Sequence, residues 1–199
     1  VPDPFSEDPE FSSLSRTQVL IAMGITAVIL LVVSKLWLYF GATPLLPVRW
    51  AVNDLAIGVG LGLAITIASS LLYRVWGLYR QSADYYLEMV LKPLVLPDLI
   101  WLGLLPGLSE ELLFRGVMLP AFGYDAVAIF FSSLCFGVLH LSSWRQWPYV
   151  LWATVIGGVL GFSALFTHNL LVPMAAHVVT NFVSGCWWKW DDYQRAKQE

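Results

Sequence analysis

Long apolar runs separated by short polar gaps dominate the chain. The runs cover 19–40, 55–72, 99–121, 126–141, 147–166 and 170–187. A helix needs about 20 such residues to cross a hydrocarbon core, within a range of about 17–25. The pattern therefore predicts an all-α polytopic membrane bundle of about six helices, the fourth being the shortest. Gly41, Pro44 and Pro47 break the first run from the second. Residues 74–92 differ in kind, mixing Trp76, Tyr79, Tyr85, Leu87, Met89 and Val90 with Arg80, Asp84 and Glu88. That mixture suits an amphipathic segment at the membrane surface, and a plain connecting loop fits it equally well. Residues 1–18 form an acidic, proline-bearing tail expected to be extended and solvated. A helical domain spans 19–190 and a polar C-terminal tail 191–199.

Composition sharpens this reading. The 199 residues are 58% hydrophobic and only 13% charged, against roughly 25% charged in soluble domains. A net charge of −3 gives no reason to expect nucleic-acid binding. Cys135 and Cys186 belong to no metal-ligand spacing, and no disulfide is expected between them. The chain begins at Val1 rather than Met, which a removed targeting segment, a trimmed chain or an earlier leader would each explain. No secretory signal is read, because the first apolar run is too long for a signal core and lacks a small-residue cleavage pattern.

The cations sort by side. In a six-span arrangement Arg16, Arg74, Arg80, Lys92, Arg145, Lys189, Arg195 and Lys197 share one side, and only Lys35 and Arg49 lie on the other. That excess places both termini in the cytoplasm or its equivalent. Trp187, Trp188, Trp190 and Tyr193, and likewise Trp144, Trp147 and Tyr149, read as interfacial belts. Gly58/Gly62 and Gly157/Gly161 suit close helix packing. Gly58, Gly60 and Gly62 lack the strand–turn–helix setting of a phosphate loop.

Against this background a few polar groups stand out, since ionisable side chains at bilayer depth are costly and mark functional sites. Glu110, Glu111 and Arg115 lie in the third run, His140 in the fourth, and His177 and Asn181 in the sixth. Pro106-Gly107 is expected to kink the third helix, with Ser109 capping a restarted helix. Glu111 and Arg115, four apart, share a face and form the favourable ion-pair order. Glu110 points about 100° away, lacks an intrahelical cation, and is left to accept a proton from water. Phe136 and His140 share a face. His177 and Asn181 lie one turn apart and can donate toward one point, as an oxyanion site requires. Singly, each histidine is read as a satisfied core group; jointly, the three runs are read as facing one hydrated cavity. His168 is read as a surface residue, and Asn53, Asp54 and Asp98 as helix-start residues. Two Glu and two His could bind Zn²⁺, but no His-Glu-xx-His spacing is present, so neither metal nor other cofactor is expected.

These motifs resemble those of the CAAX protease and bacteriocin-processing family, also called the Abi family. Its Glu-Glu-xxx-Arg, Phe-xxx-His and His-xxx-Asn signatures appear in order as Glu110-Glu111-Leu-Leu-Phe-Arg115, Phe136-Gly-Val-Leu-His140 and His177-Val-Val-Thr-Asn181. The resemblance covers about 97–187. It implies a glutamate-dependent intramembrane endopeptidase in which Glu110 activates water with His140. His177 and Asn181 would then form the oxyanion hole, and Glu111 and Arg115 would shape the site. The six spans are fewer than in eukaryotic members, and no preference for prenylated substrates is readable. A membrane-associated protein or peptide would be the substrate. Members occur in bacterial and photosynthetic membranes, which points to a bacterial inner membrane or a thylakoid. Some act as accessory proteins, so the alternative is a scaffold or assembly factor within a larger integral-membrane complex.

Overall fold

A computed structural model of the chain describes residues 14–197. Of the acidic tail expected over 1–18, residues 1–13 lie outside the described residues, and Arg16 to Gln18 already belong to the first helix rather than to an extended tail.

Local chemistry sets the helix boundaries. Ser15 and Gln18 close a reciprocal capping box, Gln18 N–H donating to Ser15 Oγ at 3.3 Å and Ser15 N–H to Gln18 Oε1 at 2.8 Å. Two otherwise orphaned amide donors are thereby satisfied, and helix α1 (Arg16–Gly41) follows. Next come α2 (Val52–Val75) and α3 (Gly77–Tyr86), which runs on into a π-helical turn, Leu87–Leu91. A single 3₁₀ turn, Leu96–Asp98, leads into α4 (Leu99–Glu111). α4 continues through a π-helical segment, Leu112–Met118, into the short α5 (Leu119–Ala121). Asp125 caps α6 (Ala126–Val138), accepting from Ala128 N–H at 2.9 Å. α7 (Trp147–Thr167) and α8 (Leu171–Ala196) complete the bundle. No strand occurs among the described residues.

The fold is the expected all-α membrane bundle, with differences in detail. Three described helices, Arg16–Gly41, Val52–Val75 and Trp144–Thr167, are long and apolar enough to cross a bilayer. A fourth is reached if Gly77–Leu91 and Leu96–Ala121, bent by 105° at their junction, count as one span. The expected six are not all met on this measure. α6 has only 13 residues, and α8 carries polar groups along its length. α8 also runs to Ala196, so most of the stretch read as a polar C-terminal tail continues a helix. Pro106 neither breaks nor restarts α4. Ser109 caps nothing; its Oγ donates to the Leu105 carbonyl at 2.7 Å within the same helix.

Outward faces are apolar. On α1, Ile21, Val28 and Ile29 are each more than half exposed, a pattern suited to lipid. The protein is therefore a multi-pass integral membrane protein. Inside, helices meet at glycines. A Cβ on Gly62 of α2 would lie 2.6 Å from the Ala176 carbonyl oxygen of α8, and one on Gly107 of α4 would lie 2.6 Å from Val178. Gly157 of α7 similarly admits Ser133 of α6. Close backbone approach of this kind is how membrane helices pack without a hydrophobic driving force. It also fixes the depth at which α8 presents His177 and Asn181 beside α4.

Within residues 74–92 the chain is helical over Gly77–Leu91 rather than a plain loop. Tyr79, Ser82 and Ala83 face inward, and the rings of Tyr79 and Tyr149 stack with centroids 6.3 Å apart. Tyr149 is therefore part of an interior wall rather than of the expected interfacial belt. Trp144, Trp187 and Trp190 are well exposed. Both cysteines are free.

Candidate active site

The innermost part of the bundle is a sealed charge network. Arg115, on the π-helical segment, is fully buried, as is Glu111. Arg115 Nη1 donates to Glu111 Oε1 at 2.8 Å, and Nη2 to the Gly157 carbonyl at 2.8 Å. The i, i+4 pair expected from the sequence thus forms, even though the helix is locally π-helical there. Single π turns are rare and recur at functional sites. His177 joins the same carboxylate oxygen, its Nδ1 lying 2.7 Å from Glu111 Oε1. An ionised carboxylate only accepts, so Nδ1 carries the proton.

Phe136 holds this network together. The Arg115 guanidinium lies 4.5 Å from its ring centroid, within cation–π range. The ring also contacts Phe114 at 5.4 Å, His140 at 5.0 Å and His177 at 5.8 Å. The shared face of Phe136 and His140 therefore has a physical purpose: one aromatic plate touches the buried cation and both imidazoles.

Beside this network lies a cavity of about 700 Å³, whose lining includes Glu110, Phe136, His140, His177 and Asn181. The three polar runs therefore contribute to one space. Glu110 Oε2 is buried and has no hydrogen-bond partner among the described residues. His140 follows the end of α6, in the turn rather than the helix. Its Nδ1 lies 2.9 Å from the Phe136 carbonyl. A carbonyl accepts, so Nδ1 donates and Nε2 is left with its lone pair in the neutral ring. Asn181 Nδ2 reaches the Leu102 carbonyl only at 3.5 Å. That carbonyl is free because Pro106, four residues on, has no N–H to donate to it.

The residues set aside earlier lie elsewhere. Asp98 accepts from Val95 N–H at 2.9 Å and pairs with Arg16 at 2.7 Å. Asp54 accepts from Asn169 Nδ2 at 2.6 Å. His168 is an exposed residue in the left-handed region, φ 50°, at the end of α7. No group of three or more His, Cys, Asp or Glu side chains among the described residues is arranged to hold a metal ion. Glu110 on α4, His140 in the turn after α6 and His177 on α8 meet at the cavity wall.

Two contributors escaped sequence reading. Tyr86 donates its hydroxyl to the His140 carbonyl and accepts from Ser142 N–H at 3.1 Å. Tyr149 stacks on Tyr86 with centroids 4.3 Å apart and also lines the cavity. The only signal for Tyr86 was the density of tyrosines over 79–86, and Tyr149 was read as an interfacial residue.

With this geometry in hand, comparison with known proteins narrows the reading. Residues 92–183 match the family model described as type II CAAX prenyl endopeptidase Rce1-like. This segment is similar to that family. It contains every residue of the three motifs, and its family is one of proteases. The chain is also 27% identical over 153 residues to a Bacillus subtilis (strain 168) protein named "Uncharacterized protein YpbD". That alignment spans 75% of this chain and 78% of the relative. No solved structure gives a significant match. The family model alone carries the proteolytic class; the relative's printed name gives no activity.

Proposed function

We propose that the protein is an intramembrane endopeptidase of the glutamic type, hydrolysing a peptide bond of a membrane-associated protein or peptide. The observation that carries this reading is the buried, unpartnered Glu110 Oε2 in a cavity that His140, His177 and Asn181 also line. Glu110 takes a proton from water, and the neutral His140 holds that water through Nε2. The hydroxyl oxygen attacks the scissile carbonyl, and the proton passes to the leaving amine. Positioned acid–base groups of this kind typically contribute about 10²–10⁴-fold. The developing oxyanion is met by Asn181 Nδ2 and by His177, which donates from Nε2 in its protonated form. Glu111 then balances the charge on His177, and Arg115 holds Glu111 in place through its 2.8 Å contact. Glu111, Arg115 and Phe136 thus support the site without touching the reacting atoms.

The test compares cells expressing wild type, Glu110→Gln or His140→Ala, with new N-termini in membrane proteins counted by quantitative mass spectrometry. Termini present with wild type and absent with both variants support the reading. The same termini in both variants overturn it. The scaffold alternative draws on the pairing of Arg115 and His177 through Glu111 Oε1, which would make a buried packing core. It predicts that Glu110→Gln leaves co-purification with a larger membrane complex unchanged.

A further inference from the structure

The turn that carries His140 is tied back to α6 through its amides, His140 N–H donating to the Gly137 carbonyl at 2.9 Å and Leu141 N–H to the Val138 carbonyl at 3.0 Å. α6 ends at Val138, and the last carbonyls of any helix lack intrahelical partners. The His140 carbonyl lies two residues beyond that end, in the turn. It is satisfied by the hydroxyl of Tyr86, which also accepts from Ser142 N–H at 3.1 Å. One phenol therefore bridges both sides of the turn. Tyr86 stands at the end of α3, on the amphipathic arm, and the arm is itself pinned. Tyr73 donates to Asp84 Oδ1 at 2.6 Å, and Trp76 meets Trp147 edge-on with centroids 5.9 Å apart. Tyr149 completes the arrangement, stacked on Tyr86 at 4.3 Å and 6.1 Å from the His140 ring.

We propose that Tyr86 is a positioning residue for His140, through which the amphipathic arm fixes the imidazole on the cavity wall. The assignment rests on His140 having the role proposed above only in its effect on turnover; the effect on the ring itself stands apart. Tyr86→Phe is the suitable variant, because it keeps the stack on Tyr149 and removes both hydrogen bonds.

The experiment is nitrogen NMR of histidine-labelled full-length protein in lipid nanodiscs across pH 5–8, with His140→Ala used to assign the signal. Wild type is expected to show His140 in one environment with Nδ1 protonated in the neutral ring. Tyr86→Phe is expected to give a second tautomer or exchange broadening at His140, with His168 unmoved and the unfolding midpoint retained. On a substrate found from the new termini, kcat should fall about 10-fold with KM unchanged within a factor of two, less than the ~100-fold that a 1 Å misplacement can cost. His140 signals identical in Tyr86→Phe and wild type would overturn the proposal whatever the turnover. Loss of cleavage failing to occur in His140→Ala would instead overturn the hydrolase reading and leave the spectroscopic result to stand.

Discussion

Glu111 and Glu110 are adjacent in sequence and occupy opposite environments. Glu111 is sealed off, with one oxygen shared by Arg115 at 2.8 Å and His177 at 2.7 Å. Glu110 lies on the cavity wall, and its Oε2 has no partner among the described residues. Desolvating a charge is costly unless pairing and hydrogen bonds compensate; the inner network pairs Glu111 Oε1 twice, while Glu111 Oε2 and Arg115 Nε have no partner among the described residues. A carboxylate so committed is poorly placed to exchange protons. Its neighbour is free to do so. The same split separates the histidines: His177 is anchored to a charge, whereas His140 is anchored only to backbone groups and to Tyr86.

Breaking the inner network should have the largest effect on stability. Arg115→Met leaves Glu111 and His177 without their buried cation, and removing one partner of a buried pair typically costs about 3–5 kcal/mol. Unfolding in detergent, followed by circular dichroism, should show it. Glu110→Gln should do the reverse, keeping the unfolding midpoint and removing turnover.

Gly62→Val tests whether helix approach sets the site. A Cβ there would press on the Ala176 carbonyl, next to His177. Overpacking costs roughly 1–3 kcal/mol, and His177 should shift by NMR while the α6 turn stays put. Smallest is Asp98→Asn. The Arg16 partner is 54% exposed, and such pairs contribute about 0–1 kcal/mol. The midpoint should barely move and activity should persist.

How much of this was legible in the sequence follows from the physics of each element. The apolar runs announced helices because lipid demands them. The Glu111–Arg115 pair was readable because i, i+4 spacing is local and survived the π-helical turn. The close contacts of Gly62 and Gly157 were readable for the same reason: small residues at four-residue spacing have few other uses in a membrane. What stayed hidden was non-local. That His177 shares Glu111 Oε1 depends on the relative depth of α4 and α8. The π segment Leu112–Met118 has no sequence signature, and Pro106 is tolerated because α8 packs beside it and offers Asn181 to the freed carbonyl. Tyr86 reached His140 across 54 residues, a distance no periodicity reports.

The most direct measurement pairs the two carboxylates. Glu110→Gln and Glu111→Gln are each prepared in nanodiscs, and the unfolding midpoint and the cleavage of wild-type-dependent substrates are recorded on the same samples. The account predicts wild-type stability without cleavage for Glu110→Gln, and a lowered midpoint for Glu111→Gln. Cleavage retained by a stably folded Glu110→Gln protein would contradict it.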